Sequence, residues 1–119
     1  MGLEIIKEIY KKKSDKQESL RLQTIKDVFK ALGKLQKESP FEEAYLFGSL
    51  TKPRQFTEHS DVDIALKNLE KDKLFFAVGF LSSSLNRDVN VVHIEDIRFR
   101  DKIIREGIKW KKRAEPSKQ

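Results

Sequence analysis

The chain has 119 residues, 38% apolar and 37% charged, and 25 Lys and Arg outweigh 19 Asp and Glu for a net charge of +6. That length holds one domain, expected over 1–119, with a modest core over about 18–111. Cysteine is absent, which excludes disulfides and thiolate metal sites and fits a reducing cytoplasm. The longest apolar run, residues 74–81, is too short to cross a bilayer, and no secretion signal is expected at the start.

The cationic excess gathers at the two ends, in Lys11-Lys12-Lys13 with Lys16 and in residues 109–113. Such runs read as solvated helix ends and a frayed basic tail over 112–119. The alternative is attraction to a polyanion, nucleic acid or a triphosphate. No dedicated nucleic-acid motif or interleaved aromatic set accompanies them.

In chain order, residues 3–10 predict a short amphipathic helix with Ile6, Ile9 and Tyr10 on one face. A stronger helix is predicted over about 16–38, where Leu22, Ile25, Val28, Phe29, Leu32 and Leu35 recur at three- and four-residue steps. Ser39-Pro40 ends it, because the residue before proline avoids helical geometry. Residues 44–47 predict a first strand, apolar on both faces and therefore central. Pro53 keeps residues 50–60 mostly in loop. Residues 61–66 predict a second strand, with Asp61, Asp63 and Ala65 on one face and Val62, Ile64 and Leu66 on the other.

Asp72 is placed to cap a helix reaching about Leu85. Residues 88–93 predict a third strand. Residues 96–106 predict a last helix, closed by Gly107 in a left-handed cap. Residues 108–110 suggest a short edge strand. The order α, β, β, α, β, α specifies an α/β (α+β) domain: a small mixed sheet with helices packed on it.

The chemistry is concentrated in Gly48-Ser49, Asp61, Asp63 and Asp88. Side chains two apart on a strand point the same way, about 7 Å apart along the backbone. At roughly 6 Å and an effective dielectric of about 20, two carboxylates repel by about 3 kcal/mol, or about two pKa units. A cation offsets that cost, and hard oxygen donors without Cys or paired His select Mg²⁺ or Mn²⁺ over zinc. If Gly48, at the exit of the first strand, is to approach Asp61, at the entry of the second, those strands run antiparallel as neighbours. If Asp88 is to join them, the third strand runs parallel to the second, and residues 67–87 supply the crossover this needs.

Leu46-Phe47-Gly48-Ser49 followed by Ser60-Asp61-Val62-Asp63-Ile64-Ala65-Leu66 resembles the signature of the minimal nucleotidyltransferases of the DNA polymerase β superfamily. Arg87-Asp88-Val89-Asn90-Val91-Val92 looks like the strand bearing the third carboxylate. Residues 103–110 are similar to the closing helix and edge strand of such domains. The resemblance covers about residues 20–111.

It implies a polymerase-β-like nucleotidyltransferase fold. It also implies catalytic and metal-binding roles for Asp61, Asp63 and Asp88, with two Mg²⁺ ions, and phosphate binding by Gly48 and Ser49 with ATP as substrate. One departure is visible. Eleven residues separate Ser49 from Asp61 where the family commonly has ten, and the expected Arg after Gly-Ser is replaced by Leu50-Thr51-Lys52-Pro53-Arg54. Lys52 and Arg54 are therefore the candidate phosphate contacts. His59 reads as a solvated loop residue and His93 as structural.

The resemblance further implies an antitoxin paired with a HEPN-domain ribonuclease toxin, transferring AMP from ATP to a tyrosine of that toxin. The competing readings are a non-catalytic antitoxin acting by contact, docking through residues such as Phe75, Phe76 or Phe80, and a catalytic subunit completed by a separate acceptor-binding chain. Self-association into a homo-oligomer is left open by the sequence.

Overall fold

The computed structural model describes residues 2–112. Helix α1 spans Gly2–Glu38, β1 Glu43–Phe47, β2 Val62–Lys67, α2 Leu74–Leu85, β3 Val89–His93, α3 Arg100–Glu106 and β4 Ile108–Lys111. The sheet order is β3-β2-β1-β4. Strand β1 pairs antiparallel with β2 and β4, and β2 pairs parallel with β3. The β1–β2 and β2–β3 pairings are those inferred from bringing Gly48, Asp61 and Asp88 together; the sequence does not predict the partner of β4. The central place of β1 follows from its apolar residues on both faces.

Strand alternation divides the core. On one face Leu46, Val62, Ile64, Leu66, Val89 and Val91 pack with Val28, Leu32 and Leu35 of α1 and Ala77 and Leu81 of α2. On the other, Tyr45 and Ala65 meet Ile94 and Ile103, with Phe47 and Val92 alongside. Asp63 belongs to this second face, which, among the described residues, the short α3 and its approach cover. The edge strand β4 is fastened by Lys109, whose Nζ lies 2.9 Å from Glu43. That ammonium, aided by the Tyr45 hydroxyl, holds the Glu43 carboxyl below the usual carboxylate range against the opposing effect of burial.

Four local expectations are corrected. The two predicted N-terminal helices are one helix of 37 residues, about 55 Å long; residues 11–15 are polar but contain no Pro or Gly, so nothing interrupts the backbone ladder. Asp72 sits in a 3-10 turn, Lys71–Lys73, and Lys73 rather than Asp72 occupies the cap of α2. The last helix begins at Arg100, after a 3-10 turn at Ile94–Asp96 and an extended Ile97. Gly107 is not left-handed: its φ is −75°. Glycine is needed there for close approach, because a Cβ would lie 2.6 Å from the Ile103 carbonyl oxygen and 2.8 Å from that of Leu46. The expected tail beyond Lys112 lies outside the described residues. Among those described, no helix is long and apolar enough to cross a membrane.

Candidate active site

The chain leaves β1 through Gly48, whose φ is +75°, a conformation that costs an L side chain energy and glycine nothing. It then makes a 3-10 turn over Gly48–Thr51. The Thr51 hydroxyl donates to the Gly48 carbonyl at 2.7 Å, and the Lys52 N–H donates to the Ser49 carbonyl at 3.1 Å. Leu50 is fully buried and anchors the turn in the core, leaving Gly48 and Ser49 half-buried at the surface.

The second constraint on Gly48 is Asp63. A Cβ at Gly48 would collide with the Asp63 Oδ2 atom, so one carboxylate oxygen is directed at the glycine. Asp63 is opposite Phe47 on β1 and Asn90 on β3, and the Asn90 amide donates to Asp63 Oδ1 at 3.0 Å. Gly48, Asp63 and Asn90 thus form one contiguous group at the sheet edge. Asn90 was missed from sequence; the side chain that β3 sets beside Asp63 is this amide, and Asp88 falls one step short of β3.

Asp61 and Asp88 stand together instead. Each is exposed just before its strand, and the Val62 N–H donates to the Asp88 carbonyl at 3.0 Å, which places them level with each other. They line a polar cavity of about 310 Å³ with Glu58, His59 and Arg87. Arg87 donates to the carbonyls of Ser60 at 2.7 Å and Thr57 at 3.3 Å, and its guanidinium sits 4.7 Å over the Phe56 ring. It therefore fixes the approach to Asp61. His59 is exposed, as expected, and its imidazole lies 3.7 Å from the Glu58 carboxylate; His93 is buried.

Of the proposed phosphate contacts, Lys52 lines a cavity of about 210 Å³ beside Gly48, across from Lys102 of α3. Lys102 had no motif to reveal it; only packing α3 against the turn brings it there. Arg54 has an exposed side chain, and its backbone N–H, in the left-handed region at φ +65°, donates to Glu18 of α1 at 3.0 Å.

The oxygen donors suit Mg²⁺, which binds through one or two carboxylates plus substrate phosphates and keeps several waters. Asp61 and Asp63 are the residues that could supply those carboxylates. Among the described residues no group of three or more His, Asp or Glu is arranged to hold a metal. The expected convergence of three carboxylates on two ions is thus not preassembled.

A family model described as polymerase beta, nucleotidyltransferase matches residues 23–115. The chain belongs to this nucleotidyltransferase family. The match spans every strand, so the Gly48 turn, Asp61 and Asp63 all lie within the matched segment. A solved structure, "Crystal structure of the toxin-antitoxin with AMP-PNP", shares the fold with a TM-score of 0.58 and 24% identity, over 71% of this chain and 73% of that one. No curated protein matches the chain.

Proposed function

We propose that this nucleotidyltransferase moves AMP from ATP to a hydroxyl of a partner protein, a tyrosine of a HEPN-domain toxin, and so acts as an antitoxin. The observation that carries the reading is the packing of the Asp63 carboxylate against the Gly48 turn. A phosphate-binding bend and a metal-binding acid in contact are what nucleotidyl transfer requires. The solved toxin–antitoxin with AMP-PNP, whose fold this chain shares, supports the partner class and the nucleotide.

In this reading the backbone N–H groups of the turn and the Ser49 hydroxyl hold the β- and γ-phosphates as an anion nest. Lys52 and Lys102 add positive charge at the cavity beside it. Asp61 and Asp63 would hold Mg²⁺, which when bound would supply charge neutralisation for the triphosphate and the pyrophosphate leaving group. The acceptor oxygen attacks the α-phosphorus, the α–β P–O bond breaks, and pyrophosphate leaves. Asp88, exposed beside Asp61, takes the hydroxyl proton in this reading, a role typically contributing about 10²–10⁴-fold. Asn90 orients the Asp63 carboxylate through its amide.

A second reading is favoured by one specific observation: the residue beside Asp63 is an amide, not a third acid. That would suit an antitoxin that neutralises by contact. Phe75, 90% exposed on α2 with Phe76 half-exposed beside it, offers it a docking surface and is not buried between helices.

Labelled ATP with Mg²⁺ separates the two. Transfer of label to the cognate partner, lost in Asp61→Asn and Asp63→Asn, is the expected result. Full protection of cells by both variants would establish neutralisation by contact and defeat the enzymatic reading.

A further inference from the structure

Glu18 and Arg21 lie one turn apart on α1, ahead of the segment that matches the family model. Arg21 is buried although charged, at 9% exposure. Its Nε and Nη2 donate to the Glu18 carboxylate at 2.9 and 2.8 Å. Its Nη1 reaches 29 residues along the chain to the carbonyl of Leu50, at 3.1 Å. Glu18 Oε1 also accepts the Arg54 N–H at 3.0 Å. One ion pair therefore holds both ends of the stretch from Leu50 to Arg54, with Lys52 between.

We propose that Glu18 and Arg21 are positioning residues of the nucleotide site: a clamp from α1 that presets the turn carrying Ser49 and Lys52 for phosphate. The inference rests on the nucleotide-binding reading of the Gly48 turn. Its physical basis is preorganisation. An anion nest works only when successive N–H groups already converge, and ordering a loop at the moment of binding is subtracted from affinity. The stretch needs outside support, because Arg54 is held in a left-handed conformation that a side-chain-bearing residue seldom adopts unaided.

Arg21 is not itself a phosphate ligand: it is buried, and its donors are directed to Glu18 and Leu50. The carboxylate is suited to its part. Arg21, then the Arg54 N–H, pull the Glu18 pKa down to about 2, so the clamp stays ionised throughout the neutral range.

The test is calorimetric titration of Mg²⁺-ATP into the full chain, at a temperature where every variant is folded, with hydrogen exchange followed at residues 50–54. Glu18→Gln and Arg21→Lys are expected to weaken ATP binding roughly tenfold, about the worth of one charge-assisted hydrogen bond. Both should speed exchange at Leu50 and Arg54 while leaving the β1–β2 amides protected. If both bind ATP as tightly as the parent, the clamp has no positioning role. Should Arg21→Lys fail to fold, Glu18→Gln decides alone. Asp63→Asn is run alongside: unchanged Mg²⁺-ATP affinity in that variant overturns the site reading itself, whereas loss there with normal Glu18→Gln overturns only the clamp.

Discussion

Replacing Gly48 by Ala tests the link between backbone geometry and chemistry. Two penalties are separable. The first is conformational: at φ +75° an L residue costs about 1–2 kcal/mol, a fall of roughly 4–8 °C in Tm for a chain of this size. The second is steric, and it falls on Asp63, because the new methyl would occupy the space of Oδ2. A carboxylate is the mobile end of a side chain, so it swings aside at little further cost in stability. It loses its place against the turn, and a misplacement of about 1 Å costs on the order of 10² in rate.

Gly107→Ala is the control. Its φ of −75° suits alanine, but the methyl would strike the Ile103 and Leu46 carbonyl oxygens, backbone atoms of α3 and β1 that cannot rotate away. Overpacking of this kind costs typically 1–3 kcal/mol. Thermal melting and transfer of labelled nucleotide, both on purified protein, should show two comparably destabilised variants, of which only Gly48→Ala loses turnover. Parental turnover in folded Gly48→Ala would refute the assignment of Asp63 to that position.

Asn90→Asp sets an acid opposite Asp63; melting without metal should fall, and added Mg²⁺ should raise it more than in the parent. No difference in the Mg²⁺ response would show that β3 does not contribute to the ion site. Acid should unfasten α1 from the loop. Because folding lowers the Glu18 pKa from 4.5 to about 2, its contribution is complete above 4.5 and disappears as pH falls to about 2. The Tm gap between the parent and Glu18→Gln should therefore narrow across that window, and a gap constant from pH 7 to 3 would contradict it. Phe75→Asp should leave stability within about 0.5 kcal/mol and weaken complex formation with the partner; unchanged pull-down would remove α2 as a docking face.

Much of the fold was legible because few topologies satisfy the motifs. Asking Gly48 and two separated aspartates to meet at one edge, with a long crossover between residues 67 and 87, leaves the antiparallel β1–β2 and parallel β2–β3 pairs as the solution. The choice of Asp88 over Asn90 shows where such reading stops. Both share a parity with Asp63, so alternation cannot separate them, and only the pairing of Val62 with Val89 sets Asn90 alongside. Arg21 and Lys102 were invisible for a different reason. Nothing local distinguishes them from other cations on helices, and their roles come from contacts 29 residues away in one case and from docking of α3 in the other. Position alone assigns Gly107 to a left-handed cap, the common use of a glycine after a helix, and the close backbone approach that requires it comes from tertiary packing.

In the proposed reaction the Gly48 bend and the Asp61/Asp63 edge together form a Mg²⁺-dependent triphosphate site. Titration of a non-hydrolysable ATP analogue into the parent and the Asp61→Asn, Asp63→Asn double variant, with and without Mg²⁺, tests it most directly. Binding by the parent that needs Mg²⁺, and is lost in the double variant, is predicted. Equal affinity in all four titrations would contradict it.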